Sequence, residues 1–102
     1  MSQGYDDLLD GLKAMADSLT ALRVRAVREY TPVVEQIIAT RSRDTARIEH
    51  TLDGLLDFAC HPDGLILYRS LCRYYFGLDP AAAADYVRYY REMWDPPDDV
   101  PE

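Results

Sequence analysis

The spacing of apolar residues between Tyr5 and Tyr30 restricts the fold of this chain more than any other feature. Tyr5, Leu8, Leu9, Leu12, Met15, Ala16, Leu19, Leu22, Ala26, Val27 and Tyr30 follow one another mostly in steps of three and four. That period places them on one stripe of an α-helix, so residues 5–30 read as a single amphipathic helix. Its length would be roughly 39 Å at ~1.5 Å per residue, long for a chain of this size. Pro32 follows in "EYTPVVEQ". Proline lacks an N–H and its ring clashes with the preceding turn, which predicts a break or sharp kink there.

A second pattern runs Val34, Ile38, Arg41, Thr45, Ile48, Leu52, Leu55, Ala59 in alternating steps of four and three. It reads either as one helix over 32–60 or as two, and "TRSRDTAR" at its centre favours a break near 42–44 with Ser42 or Asp44 as cap. "CHPDGL" reads as a turn, followed by a short helix over 65–76 that Gly77 ends. "LDPAAAADY" is the clearest helix start, with Asp79 as cap, Pro80 at the first position and alanines behind it. That helix extends to about Trp94. No segment alternates with period two. The expected fold is all-α, a compact bundle of four to five helices with a long N-terminal amphipathic helix and a C-terminal helical hairpin. Residues 1–94 form one domain, and "DPPDDVPE" at 95–102 lacks apolar residues to pack and reads as a disordered acidic tail.

Charge narrows the partners. The formal net charge of −7 divides as −3 over residues 1–20, +2 over 21–50 and −6 over 51–102. An acidic balance repels phosphate and anionic lipid, which argues against nucleic acid and membrane as partners. No stretch has the length and apolarity of a membrane span, and two cysteines, Cys60 and Cys72, are too few for a secreted disulfide framework. A cytoplasmic location with free thiols is expected.

No Gly-rich phosphate loop, nucleophile elbow or pair of metal-ligand motifs occurs, and Cys60, His61 and Cys72 lack zinc spacing. Neither an enzymatic reaction, a metal nor a cofactor is expected. Surface residues are more informative. The triplet Arg-Tyr-Tyr occurs at 73–75 and again at 88–90. Projected at 100° per residue, Tyr75 and Tyr90 point inward, Tyr74 and Tyr89 sit at the core border, and Arg73 and Arg88 face water. On the last helix the same projection turns Ala83, Tyr86, Val87, Met93 and Trp94 inward. Tyrosine and arginine are enriched at binding hot spots, so Arg73, Tyr74, Arg88 and Tyr89 form a candidate partner-binding patch. Glu49, Asp53 and Asp57 line one helical edge at i, i+4 and i+8, where like charges repel unless basic groups face them.

These features predict a non-enzymatic, acidic interaction module, an adaptor or an inhibitor, that binds another protein through the Tyr/Arg patch and the acidic edge. One form would be a phage- or mobile-element-type inhibitor, of the anti-CRISPR or anti-restriction class, acting on the basic surface of a nucleic-acid-binding complex. Arg23, Arg25, Arg28, Arg41, Arg43 and Arg47 provide the alternative, a nucleic-acid binder using this Arg-rich middle segment. A purely structural helical dimer is the third reading. The first stripe would be covered by a second copy through residues 5–38, or by packing of 5–30 on 32–60 within one chain.

Overall fold

The computed structural model describes residues 2–95, with side chains from Gly4 onward. Four helices account for it: α1 (Ser2–Ala39), α2 (Thr45–Leu56), α3 (Pro62–Phe76) and α4 (Pro80–Trp94), with no strand among the described residues. The expected 95–102 tail lies outside the described residues beyond Asp95, which follows α4 as its C-cap.

The break expected at Pro32 is absent, and α1 is helical through it. Pro32 lies on the exposed face of α1, while Ala26, Val34 and Ile37 are buried on the opposite face. Tertiary packing on both sides therefore holds the helix across a missing hydrogen bond whose carbonyl faces water. Nearby, the Thr31 hydroxyl donates to the Val27 carbonyl at 2.7 Å.

The chain does turn after residue 39. Ser42 N–H donates to the Ile37 carbonyl and Arg41 N–H to the Ile38 carbonyl, the paired bonds of a Schellman ending. That ending needs a left-handed residue, and Arg41 takes it with φ 51°. Asp44 then caps α2 by accepting from Arg47 N–H at 3.1 Å. The Arg47 guanidinium reaches back to Gln36 Oε1 at 3.1 Å, tying the two helices at their junction.

α3 begins three residues before the expected position, because Pro62 suits a first helical turn and His61 caps it, its Nδ1 accepting from Asp63 N–H. "CHPDGL" is thus a helix entry rather than a separate turn. Gly64 is required there, since a Cβ would run into the Phe58 carbonyl. α4 starts at Pro80 with Asp79 accepting from Ala82 N–H at 3.1 Å.

The core consists of Val34 and Ile37 from α1, Ile48, Leu52 and Leu55 from α2, Ala59 from the α2–α3 connection, Tyr68, Leu71, Cys72 and Tyr75 from α3, and Ala83 and Tyr86 from α4. Polar atoms entering it are paired. Tyr68 Oη donates to the Tyr86 carbonyl at 2.6 Å, and Trp94 Nε1 donates to the Leu56 carbonyl at 2.6 Å, closing α4 onto α2. Val87 and Met93, projected inward from sequence, are exposed because α4 has neighbours on only one side.

The expectation of a compact molecule holds for this body and fails for the whole. The described chain measures 61 × 43 × 18 Å with a radius of gyration of 17.7 Å, against ~13 Å for a globular chain of this length. The excess comes from the first half of α1, which projects beyond the body as an arm. Packing of 5–30 on 32–60 within one chain is likewise not what forms: every residue from Gly4 to Leu22 is exposed.

Candidate functional site

Three surfaces present apolar or charged groups to solvent. The first is the arm. Tyr5, Leu8, Leu9, Leu12, Met15, Leu19 and Leu22 are exposed, from 45% at Leu9 to 64% at Tyr5. They continue the line of Ala26, Val34 and Ile37, so one stripe is buried at its C-terminal end and bare at its N-terminal end. Contiguous apolar surface on this scale marks an interaction site, whereas single exposed leucines do not.

The second surface is a groove of about 820 Å³ between α3 and α4. Leu65, Tyr68, Cys72, Ala83, Val87 and Tyr90 line it, with four arginines, Arg69 and Arg73 from α3 and Arg88 and Arg91 from α4, against one carboxylate, Asp95. Arg88 meets Asp85 at 3.3 Å and Glu92 at 3.7 Å on its own helix. Arg69, Arg73 and Arg91 have no ion pair among the described residues. An apolar floor with a cationic rim suits an acidic, amphipathic segment.

The two Arg-Tyr-Tyr triplets thus divide. Arg73 and Arg88 come together on the groove, while Tyr74 and Tyr89 are not among its lining residues. The half-buried Tyr74 donates its hydroxyl to the Ser42 carbonyl at 2.7 Å, which pins the α1–α2 junction to α3. Tyr89 is exposed, lies edge-on to Tyr86 with centroids 5.4 Å apart, and carries the Arg88 guanidinium 5.5 Å from its ring centre. Sequence projection passed over Arg69 and Arg91 as groove residues. Their spacing from Arg73 and Arg88, four and three residues, was the available signal.

The third surface is the acidic edge of α2. Glu49 is half-buried, accepting from the Tyr75 hydroxyl through Oε2 and from the Tyr86 hydroxyl through its backbone carbonyl. Asp53 and Asp57 are exposed. Burial, with the carboxylates of Glu49 and Asp53 added, pushes the Tyr75 and Tyr86 hydroxyls well above the ordinary tyrosine range. Tyr68 shifts the same way, chiefly through burial, and burial pushes the Cys72 thiol up to about 11. Burial keeps all four groups neutral, and the three tyrosine hydroxyls serve as hydrogen-bond donors. Cys60 is exposed.

The Arg-rich middle does not form one face. Arg25 pairs with Glu29 at 3.0 Å, Arg47 bonds Gln36, Arg41 ends α1, and Arg23 is half-buried. No described helix is long and apolar enough to cross a membrane. No protein-family model matches this chain, nor does any curated protein or solved structure, so its function is read from these surfaces.

Proposed function

We propose that this protein is a non-enzymatic helical interaction module, an adaptor or inhibitor, whose principal docking surface is the apolar stripe along residues 5–22 of α1. The bare stripe carries the reading. Seven large apolar side chains lie in register on a stretch of α1 that is exposed from Gly4 to Leu22, and most of a helix's stability in a protein comes from packing its apolar face. A protein partner offering an apolar helix face would bury the stripe and stabilise the arm together. The groove arginines and the α2 carboxylates add charged contacts that select the partner. Capture of binding proteins by the wild type and by a Leu12→Glu/Leu19→Glu variant tests this. The variant is expected to lose its partners while Trp94 fluorescence reports an intact body, and unchanged capture would overturn the reading.

A second reading is favoured by Asp53 and Asp57, which stand exposed four residues apart without an ion pair among the described residues. This edge would let the protein occupy the basic surface of a nucleic-acid-binding partner, as phage and mobile-element inhibitors of the anti-CRISPR or anti-restriction class do. Competition against an oligonucleotide for such a partner should disappear in Asp53→Lys/Asp57→Lys.

A further inference from the structure

Arg23 is the residue that a single chain leaves without a role. It falls in the apolar stripe by spacing, is half-buried, and makes no ion pair among the described residues. The arm it borders is divided by charge: Asp6, Asp7 and Asp10 lie toward its N-terminal end, and Arg23, Arg25 and Arg28 lie where it joins the body. We propose that the arm docks on the arm of a second copy of this chain, the two α1 helices running antiparallel. This rests on the reading of residues 5–22 as the docking surface and names its partner.

Antiparallel pairing about a two-fold axis between Lys13 and Ala14 sets Tyr5 against Leu22, Leu8 against Leu19 and Leu12 against Met15, so every layer is apolar. It also lays the acidic end of each arm beside the arginines of the other, giving Arg23 a carboxylate neighbour in Asp6. Parallel pairing does the opposite, placing Asp6, Asp7 and Asp10 against their own copies.

Glycine placement is an independent sign. Gly4, Gly11 and Ser18 recur every seven residues along one flank of the stripe, and antiparallel pairing brings Gly11 of one copy and Ser18 of the other to the same flank of the pair, two residues apart in level. A Cβ at Gly4 or Gly11 would meet nothing within 4 Å, so the chain's own packing does not require them. Glycine is a poor helix former, and here it leaves room for a second backbone to approach. Area agrees as well. Seven half-exposed large side chains correspond to roughly 600 Å² per copy, or about 1,200 Å² for the pair, the lower end of stable interfaces. The partner arm would end where the body begins, so that body and partner together cover the whole stripe.

Sedimentation equilibrium of the full chain from about 1 to about 100 µM tests the proposal, this being the range in which interfaces of that size assemble. The wild type is expected to reach twice the 11.7 kDa chain mass, and Leu12→Glu to stay at the chain mass with Trp94 fluorescence unchanged. A monomeric wild type, or a dimer that survives Leu12→Glu, overturns self-pairing through the arm. The docking-arm reading would stand or fall separately, on whether Leu12→Glu/Leu19→Glu loses partner capture. Charge exchange tests direction. Asp6→Arg and Arg23→Asp should each weaken the dimer about five-fold, since each acts at both ends of a symmetric pair, and together restore it. With Cys60 replaced by serine, Leu8→Cys should cross-link to Leu19→Cys and not to itself, whereas self-linking would identify the parallel pair and overturn the proposal.

Discussion

The two ends of α1 have the same apolar periodicity and opposite fates. Over residues 26–37 the stripe meets α2 and α3, and Val34 and Ile37 are almost wholly buried. Over residues 5–22 it stays exposed among the described residues, although leucine is commoner there. Periodicity therefore fixes that a helix has an apolar face and is silent on what covers it. Coverage depends on chain supply: α2, α3 and α4 hold 12, 15 and 15 residues, too short to reach along a 38-residue helix.

The widest separation between the two regions should come from alkali, because the buried hydroxyls and thiol belong to the body. Tyr68, Tyr75, Tyr86 and Cys72 all have their pKa raised by burial. Raised values mean that the folded state holds protons the unfolded chain releases. Stability is thus complete below the unfolded values of about 8.5 for cysteine and about 10 for tyrosine, and falls as pH rises beyond them. Urea unfolding followed by Trp94 fluorescence should lose several kcal/mol between pH 8 and pH 11, at ~1.4 kcal/mol for each group displaced by one unit. A flat profile would mean that these side chains are wet.

Next in size is the contrast between equivalent leucines. Leu52→Ala leaves a cavity in the core and should cost ~2–5 kcal/mol of body stability. Leu12→Ala, on a side chain 53% exposed, should change it by less than ~0.5 kcal/mol at protein concentrations too low for association. Equal costs would show that the arm folds back on the body. Glycines extend the contrast to opposite signs. Gly64→Ala drives a methyl into the Phe58 carbonyl and should destabilise by ~2 kcal/mol, whereas Gly11→Ala should raise the arm's helicity by up to ~1 kcal/mol in a dilute circular-dichroism measurement.

Much of the body was legible in the sequence, and the reasons are local. Asp79-Pro80 and Asp44 start helices through their own side chains, and Tyr75, Ala83 and Tyr86 occupy the inner face that projection assigns them. Pro32 misleads because its penalty is small when the freed carbonyl faces water and the opposite face is packed. His61-Pro62 was read as a turn because histidine is an uncommon cap. The arginine groove was only half legible: residue spacing shows which side chains leave a helix together, and only the packing of α3 on α4 shows that Arg69, Arg73, Arg88 and Arg91 surround one space.

The α1–α2 junction, where the two regions are held in register, gives the finest test. Arg41 takes φ 51°, a conformation that costs a side chain with a Cβ ~1 kcal/mol and costs glycine almost nothing. Arg41→Gly should therefore stabilise the body by somewhat less than that, glycine also adding freedom to the unfolded chain. Tyr74→Phe should act in the other direction by ~1 kcal/mol, leaving the half-buried Ser42 carbonyl without its donor, while Tyr89→Phe, whose hydroxyl bonds nothing among the described residues, should be silent. These paired tyrosines separate roles that their shared triplet conceals. If the Tyr89 change alone disturbed partner binding, the exposed ring under Arg88 would belong to the docking surface. If only the Tyr74 change did so, in proportion to lost stability, the junction would be acting by aiming α1 from the body, and the surface to map would be the arm.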